Sequence, residues 1–515
     1  MRLVTVTVTV STVSALAACA PTIAPIQDAP DGGPKVVVDA AAPPPPMGLL
    51  ASLSLSPGPL TPAFSANVYD YTVQCAAGTN NVSVTMQTTA GAVASLLSPL
   101  VSQAAETQSV SLSIEEDAAI VVNVASGDGQ SVQYWVRCLP HDFPPITVTP
   151  HPSVATATPG YYLTGNGVVG QGNGGFAMIL DTNGTPVWYR RVTGGAFNLE
   201  LIDDDVVAFI PTLGPFGDNP TAQYEIDVLN PWQTETVEAV GSPTDEHELT
   251  MMPNGDRLVF SYPLVSGVDL TGLGDLGPDA TVADCEIQEI DANNNLVWSW
   301  HGLDHIDPIF ESTDQDPTQL AGVTVIDPIH CNSIALDTDG NLMVSARNLD
   351  AVFLIDKTTS LITWKMGGTG YSKDSAQEVT IENDPLQAFH HQHDARFVPD
   401  GTISLFDDQT NQPASARGVI YAIDLGASTA TFLWQANGTG NTVAMGSFRT
   451  YADGSRVVGW GISMGPSSPV FSEVDANGVS ILDVSLGAGN WAYRTVKVTL
   501  DELDIDLLRA TTANP

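Results

Sequence analysis

Three histidines stand at nearly matched distances ahead of three glycine turns. His247 precedes Gly255 by eight residues, His330 precedes Gly340 by ten, and His393 precedes Gly401 by eight. The chain has only nine histidines in 515 residues, so a recurrence of this kind is chemically informative. A neutral imidazole is a nucleophile or base near neutral pH, because its reference pKa is about 6.5, and an imidazolium can hold an oxyanion. A lone histidine is more often a satisfied structural residue than a catalyst. Three brought to one place would be a site for group transfer, or a zinc set.

The elements that would gather them are strands. A hydrophobic residue followed by Asp, a polar turn and a strand ending in Trp recurs in LDTNGTPVW, IDANNNLVW, IDKTTSLITW and IDLGASTATFLW, with weaker copies at IDVLNPWQTETV and VDANGVSIL. The aspartates 181, 227, 291, 356, 424 and 475 are 46 to 68 residues apart, about one four-stranded sheet per unit, which predicts a six-bladed β-propeller. Five units also carry an earlier strand opened by an acidic or Gly turn, as in PNGDRLVF, TDGNLMVS and PDGTISLF. The strand before each such turn should be the innermost one. His247, His330 and His393 then lie on the inner strands of three consecutive blades and face one axis. His390 and His391 have no counterparts in other units and are expected to be locally structural. His301 and His305, in WHGLDHID, follow a strand and are expected in a loop at the channel mouth.

These stretches resemble the arylsulfotransferase family, which moves a sulfuryl group between phenols without a nucleotide donor. The carrying segments are DEHELTMMPNGDRLV, EIDANNNLVWSWHGLDH, DPIHCNSIALDTDGNLMVSARN, IDKTTSLITWKMGG, QHDARFVPDGTISLFDD and GSFRTYADGSRVVGWG, spread over nearly all of residues 150 to 498. The resemblance implies His393 as the nucleophile that becomes a sulfohistidine, with His247, His330 and Arg347 beside it. The usual FDN reads FDD at Asp408 and the usual TG reads TS at Ser360. Sulfuryl transfer should share the loose in-line transition state of phosphoryl transfer, so it needs a nucleophile and converging donors. Arg347, always charged, and two histidines would supply the donors, and Asn332 could orient or donate. No cofactor is required, because the aryl sulfate donor already carries the activated group and a phenol accepts it. Arg347 argues for an anion over a metal. The alternative is a propeller that binds ligands or partners without turning them over.

Other spellings fail in context. GISMG at 461 to 465 matches a nucleophile elbow at Ser463, but PSSPV follows where a helix must start. HELTM lacks the second zinc-protease histidine, and DTDGN lacks the remaining acids of an EF-hand loop.

Ahead of the repeats the chain changes character. MRLVTVTVTVSTVSALAAC resembles a bacterial lipoprotein signal, with LAAC placing the lipid on Cys19; residues 1–18 would be removed and the protein exported and lipid-anchored in the cell envelope. Residues 19–48, rich in Pro and Ala and including PPPP, cannot form a core and read as a tether. Residues 49–141 alternate as strands of a small β-sandwich similar to the cadherin-like domains of bacterial surface proteins, and 142–515 form the propeller. The whole is therefore read as all-β. In an oxidising compartment Cys75 and Cys138 are expected to pair, whereas Cys285 and Cys331 could pair or remain thiols. The 58 acidic residues against 17 Lys plus Arg give a formal charge of −41. That charge excludes nucleic acid as a natural partner.

Overall fold

The computed structural model describes residues 49–100, 103–168, 174–211, 223–229, 232–320, 322–463 and 468–511. The expected signal, Cys19 and the tether lie outside the described residues. The architecture is all-β, a sandwich followed by a series of sheets. Among the described residues no helix is long and apolar enough to cross a membrane.

The sandwich packs a three-stranded sheet (Leu50–Ser56, Thr79–Thr88, Thr107–Glu115) on a four-stranded one (Asp70–Gln74, Ser131–Leu139, Ala119–Ser126, Ala92–Ser98). Alternation decides which side chains turn inward: Leu53, Val84, Met86, Val122 and Val136 are buried between the sheets. Each such side chain contributes about 1.5–3 kcal/mol. Cys75, just past Asp70–Gln74, and Cys138 of the neighbouring Ser131–Leu139 are joined by a disulfide within the four-stranded sheet, with Cα atoms 5.4 Å apart.

Among the described residues six four-stranded arrays follow whose inner strands share a ring, together with a further four-stranded sheet formed by Leu264–Val268, Ala280–Ala283, Val323–Ile326 and Thr318–Leu320 between the strands of the third and fourth arrays. The first closes the chain on itself, because Thr495–Val498 pairs with Tyr161–Gly165, followed outward by Phe176–Leu180 and Pro186–Arg191. The second to sixth run outward in chain order from Ala196–Asp203, Thr244–Met251, Cys331–Leu336, His393–Phe397 and Ser447–Thr450. These inner strands touch in cyclic order, and Thr495–Val498 meets both Ser447–Thr450 and Ala196–Asp203. Hydrophobic cores fill the seams: Leu163 and Ile179 with Val207 and Phe209, then Ile210 and Ile226 with Val259, and Phe260 and Trp300 with Val344 and Phe353. Gln377–Glu382 bridges the outer edges of the fourth and fifth arrays, and Thr147–Pro150 adds a strand to the sixth.

The repeated Asp turns join the third and fourth strands of an array. Asp181, Asp291 and Asp475 each accept two backbone N–H groups from the residues two and four positions on, and Asp356 and Asp424 do related work. Their recurrence is thus structural. Asp227 departs from this pattern: it lies inside Tyr224–Leu229, fully buried, and accepts from Arg190 and Thr234.

Candidate functional site

His247 is the fourth residue of its inner strand, His330 immediately precedes its strand, and His393 opens its own. Each of these strands slips register against its neighbour near the histidine, between Thr244 and Leu249, Cys331 and Ser333, and His393 and Arg396. Such bulges turn side chains out of the ladder. Left-handed backbone accompanies them, with φ of +55° at His330 and +56° at Asp394. A non-glycine residue holds that conformation only where its surroundings enforce it.

The bulges bring the three imidazoles together. Ring centres of His247 and His330 are 5.0 Å apart and those of His247 and His393 are 6.0 Å apart. Two tyrosines complete the group: Tyr493 lies 5.2 Å from His393 and 6.0 Å from His247, and Tyr262 lies 6.2 Å from His247 and 6.4 Å from His330.

Their supports differ in charge. His247 Nδ1 pairs with Asp245 Oδ1 at 2.5 Å, and His330 Nδ1 pairs with Asp327 Oδ2 at 2.5 Å. His393 has no carboxylate behind it; its Nδ1 is 2.7 Å from the carbonyl of Gly446. A carbonyl only accepts, so Nδ1 carries the hydrogen and Nε2 keeps the lone pair. The hydroxyl of Tyr493 is 3.3 Å from that Nε2 and 3.0 Å from the His247 carbonyl. Burial, then Arg494 and the neighbouring His247, hold the His393 imidazolium well below the ordinary histidine range. Burial also works against charge on His247, but Asp245 outweighs it and raises that pKa. The two imidazoles are therefore biased in opposite directions, His393 toward the neutral form and His247 toward the charged one.

Arg347 follows the next strand, and its backbone N–H donates to the His330 carbonyl. Its guanidinium donates to Asp316 at 2.5 Å, to Asn348 at 2.8 Å and to the Val443 carbonyl at 3.5 Å. Asn332 donates from Nδ2 to the Gln392 carbonyl beside His393, and its buried Oδ1 has no hydrogen-bond partner among the described residues. His390 and His391 are tied to Asp350 by the His390 ring and the His391 backbone. His301 ends a strand against Asp284 with its ring still 41% exposed, whereas His305 stacks on Trp300 at 5.3 Å with Asp374 at its Nδ1 and is thus packed against the third array's outer strand.

Tyr493 and Arg494 are the members that sequence reasoning missed. Arg494, buried, donates to Asn198, Glu248 and the Asn332 carbonyl, directly under the imidazoles. Beneath it Asp394 bonds Arg396 and Arg449, and these two reach Glu248 and Glu200. The available signal was topological: a ring closed by its last strand places the residues beside that strand on the axis.

Comparison with known proteins gives the family. Residues 217–487, more than half of the chain, match the arylsulfotransferase (ASST) model, and residues 50–138 match a cadherin-like beta sandwich domain. No curated protein matches the chain. Solved structures similar to it include a protein of unknown function from Bacteroides caccae, 11% identical, covering 66% of this chain and 99% of that one, with a TM-score of 0.39. A Lactobacillus plantarum protein is 11% identical over 66% of this chain and all of its own (100%), TM-score 0.36. A catalytically inactive virginiamycin B lyase from Staphylococcus aureus is 11% identical over 68% and 89%, TM-score 0.31. By the match over residues 217–487, the chain belongs to the arylsulfotransferase family.

Proposed function

We propose that this chain transfers a sulfuryl group from a phenolic sulfate ester to a phenolic acceptor through a sulfohistidine at His393, on a six-bladed propeller. The observation that carries the reading is the Gly446 carbonyl at His393 Nδ1, which holds the ring so that Nε2, the nucleophilic nitrogen of the neutral form favoured by burial and Arg494, faces Tyr493 beside His247. In the first step Nε2 attacks sulfur, the S–O bond to the aryl group breaks, and the departing phenolate takes a proton from Tyr493 or His247. In the second the acceptor phenol attacks, the S–N bond breaks, and the phenolic proton returns to the site. His247, biased toward its charged form by Asp245, and the neighbouring His330 meet the sulfuryl oxygens. Arg347 joins them by exchanging Asp316, whose side chain is 39% exposed and a weakly held partner, for the anion. Export and lipid anchoring at Cys19 belong to the same proposal.

The test is release of nitrophenol from p-nitrophenyl sulfate by residues 49–515, with and without phenol. We expect phenol-dependent release by the wild type, none by His393→Ala, and sulfuryl mass on the peptide containing His393 after quenching. Equal release by the two proteins would overturn the reading.

A further inference from the structure

The second disulfide lies in the site's own framework. Cys285 immediately precedes Glu286–Ile290 of the third array, Cys331 is the first residue of the fourth array's inner strand, and the two are bonded with Cα atoms 5.9 Å apart. Both are fully buried. The bond therefore crosses the seam between the array that carries His247 and the one that opens next to His330. A second tie reaches the same residue, since the hydroxyl of Tyr262, which follows the third array's second strand, donates to the Cys331 carbonyl. Further along, the seam is held by the apolar core of Phe260, Trp300, Val344 and Phe353, by Trp300 Nε1 donating to the Ser360 carbonyl at 3.0 Å, and by the longer links of Thr250 to the Ile334 carbonyl at 3.3 Å and the Ile334 N–H to Glu248 at 3.3 Å; the disulfide is the covalent tie at the end where His330 stands.

We propose that the Cys285–Cys331 disulfide is a positioning device for the transfer reaction, fixing His330 against His247. The inference rests on the sulfuryl-transfer reading above. His330 is one bond from the tied residue and stands in left-handed backbone that relaxes if its neighbour is released. The 5.0 Å spacing of the two rings depends on where the third array sits relative to the fourth, and the disulfide fixes that directly. A displacement of about 1 Å in such a group can cost on the order of 100-fold in rate. Because His330 acts on charge that develops in transfer, kcat and kcat/KM should fall together, with KM for the donor unchanged.

The experiment compares the wild type with Cys285→Ser/Cys331→Ser and, as a control, with Cys75→Ser/Cys138→Ser, which removes a cross-link of the same kind from the sandwich. We expect kcat to drop about tenfold or more in the first pair at constant KM, and to remain at the wild-type level in the second even if its Tm falls. Should the serine pair fail to fold, Cys285→Val/Cys331→Ala fills the apolar seam and replaces it. A folded variant of the 285–331 pair with kcat within about twofold of wild type overturns the proposal, as do equal losses from both disulfides or a chain that folds with neither replacement. Absence of release by the wild type instead sinks the transfer reading, a result distinct from any of these.

Discussion

At the scale of single residues, the site is organised by what stands behind each imidazole. Burial and the nearby Arg494 guanidinium work against a proton on His393, against the small opposing pull of the Gly446 carbonyl, whereas the Asp245 carboxylate behind His247 favours one there. A histidine whose folded pKa is depressed is charged more readily when unfolded, so His393 favours the folded state above about pH 6.5 and withdraws that contribution as pH falls through the unfolded value. His247 is the reverse: its contribution is complete below about pH 6.5 and disappears as pH rises through its raised value. In activity, the alkaline limb of kcat should report loss of the His247 proton. Asp245→Asn keeps the shape and removes the charge, so that limb should move to lower pH, as measured by a pH profile of single-turnover rates. An unmoved limb would assign it to another group. Tyr493→Phe removes the one hydroxyl within reach of both His393 Nε2 and the His247 carbonyl among the described residues, and we expect a loss of about tenfold or more in kcat at little change in thermal stability.

Among elements, the bulged start of each histidine-bearing inner strand does the aiming, and the residue ahead of the sixth array's inner strand supplies the carbonyl behind His393. Gly446 shows how strictly. Its φ is +100°, and a Cβ there would lie 2.4 Å from Phe406 and 2.9 Å from the Gly459 carbonyl, so Gly446→Ala must shift the carbonyl that orients His393. We expect it to cost about 1–3 kcal/mol in urea unfolding and to lower kcat out of proportion to that loss. The repeat itself was legible in the sequence, because Asp turns at Asp181, Asp291, Asp356, Asp424 and Asp475 recur by a local mechanism that needs only neighbouring N–H groups. His247, His330 and His393 were legible as a set because inner-strand position follows from distance to the next turn. Asp227 misled, since a buried Asp paired with Arg190 spells the same as a turn Asp. Tyr493 and Arg494 were invisible because their place on the axis comes from pairing of Thr495–Val498 with Tyr161–Gly165, more than 300 residues away, and no local pattern encodes that register. Bulges were equally silent, and with them the actual partners of each imidazole.

For the whole molecule, charge is distributed in two layers that respond oppositely to solvent. The scarce cations are turned inward: Arg396, Arg449 and Arg494 surround Asp394, Arg417 is enclosed by Asp384 and Asp407, and Arg509 of the C-terminal helix shares Asp70 with Arg137 of the sandwich. Burial alone would raise Asp394, but the three guanidinium groups hold it well below the usual carboxylate range. Its stabilisation is therefore complete above about pH 4 and is lost only as pH falls through that depressed value. Arg449→Met, which leaves Asp394 and Glu200 short of a partner, should cost about 3–5 kcal/mol. The outside is left with most of the −41, and that repels itself. Raising ionic strength shortens the Debye length from about 30 Å at 0.01 M to about 8 Å at 0.15 M, which screens the surface while scarcely reaching the buried pairs. The thermal midpoint should therefore rise between those two salt concentrations, by on the order of 1 °C for each kcal/mol of repulsion removed in a chain of this length. A midpoint that fell with salt would mean that exposed ion pairs such as Arg191–Asp142 outweigh the net repulsion, and the reading of an outer layer dominated by anionic self-repulsion would have to be abandoned.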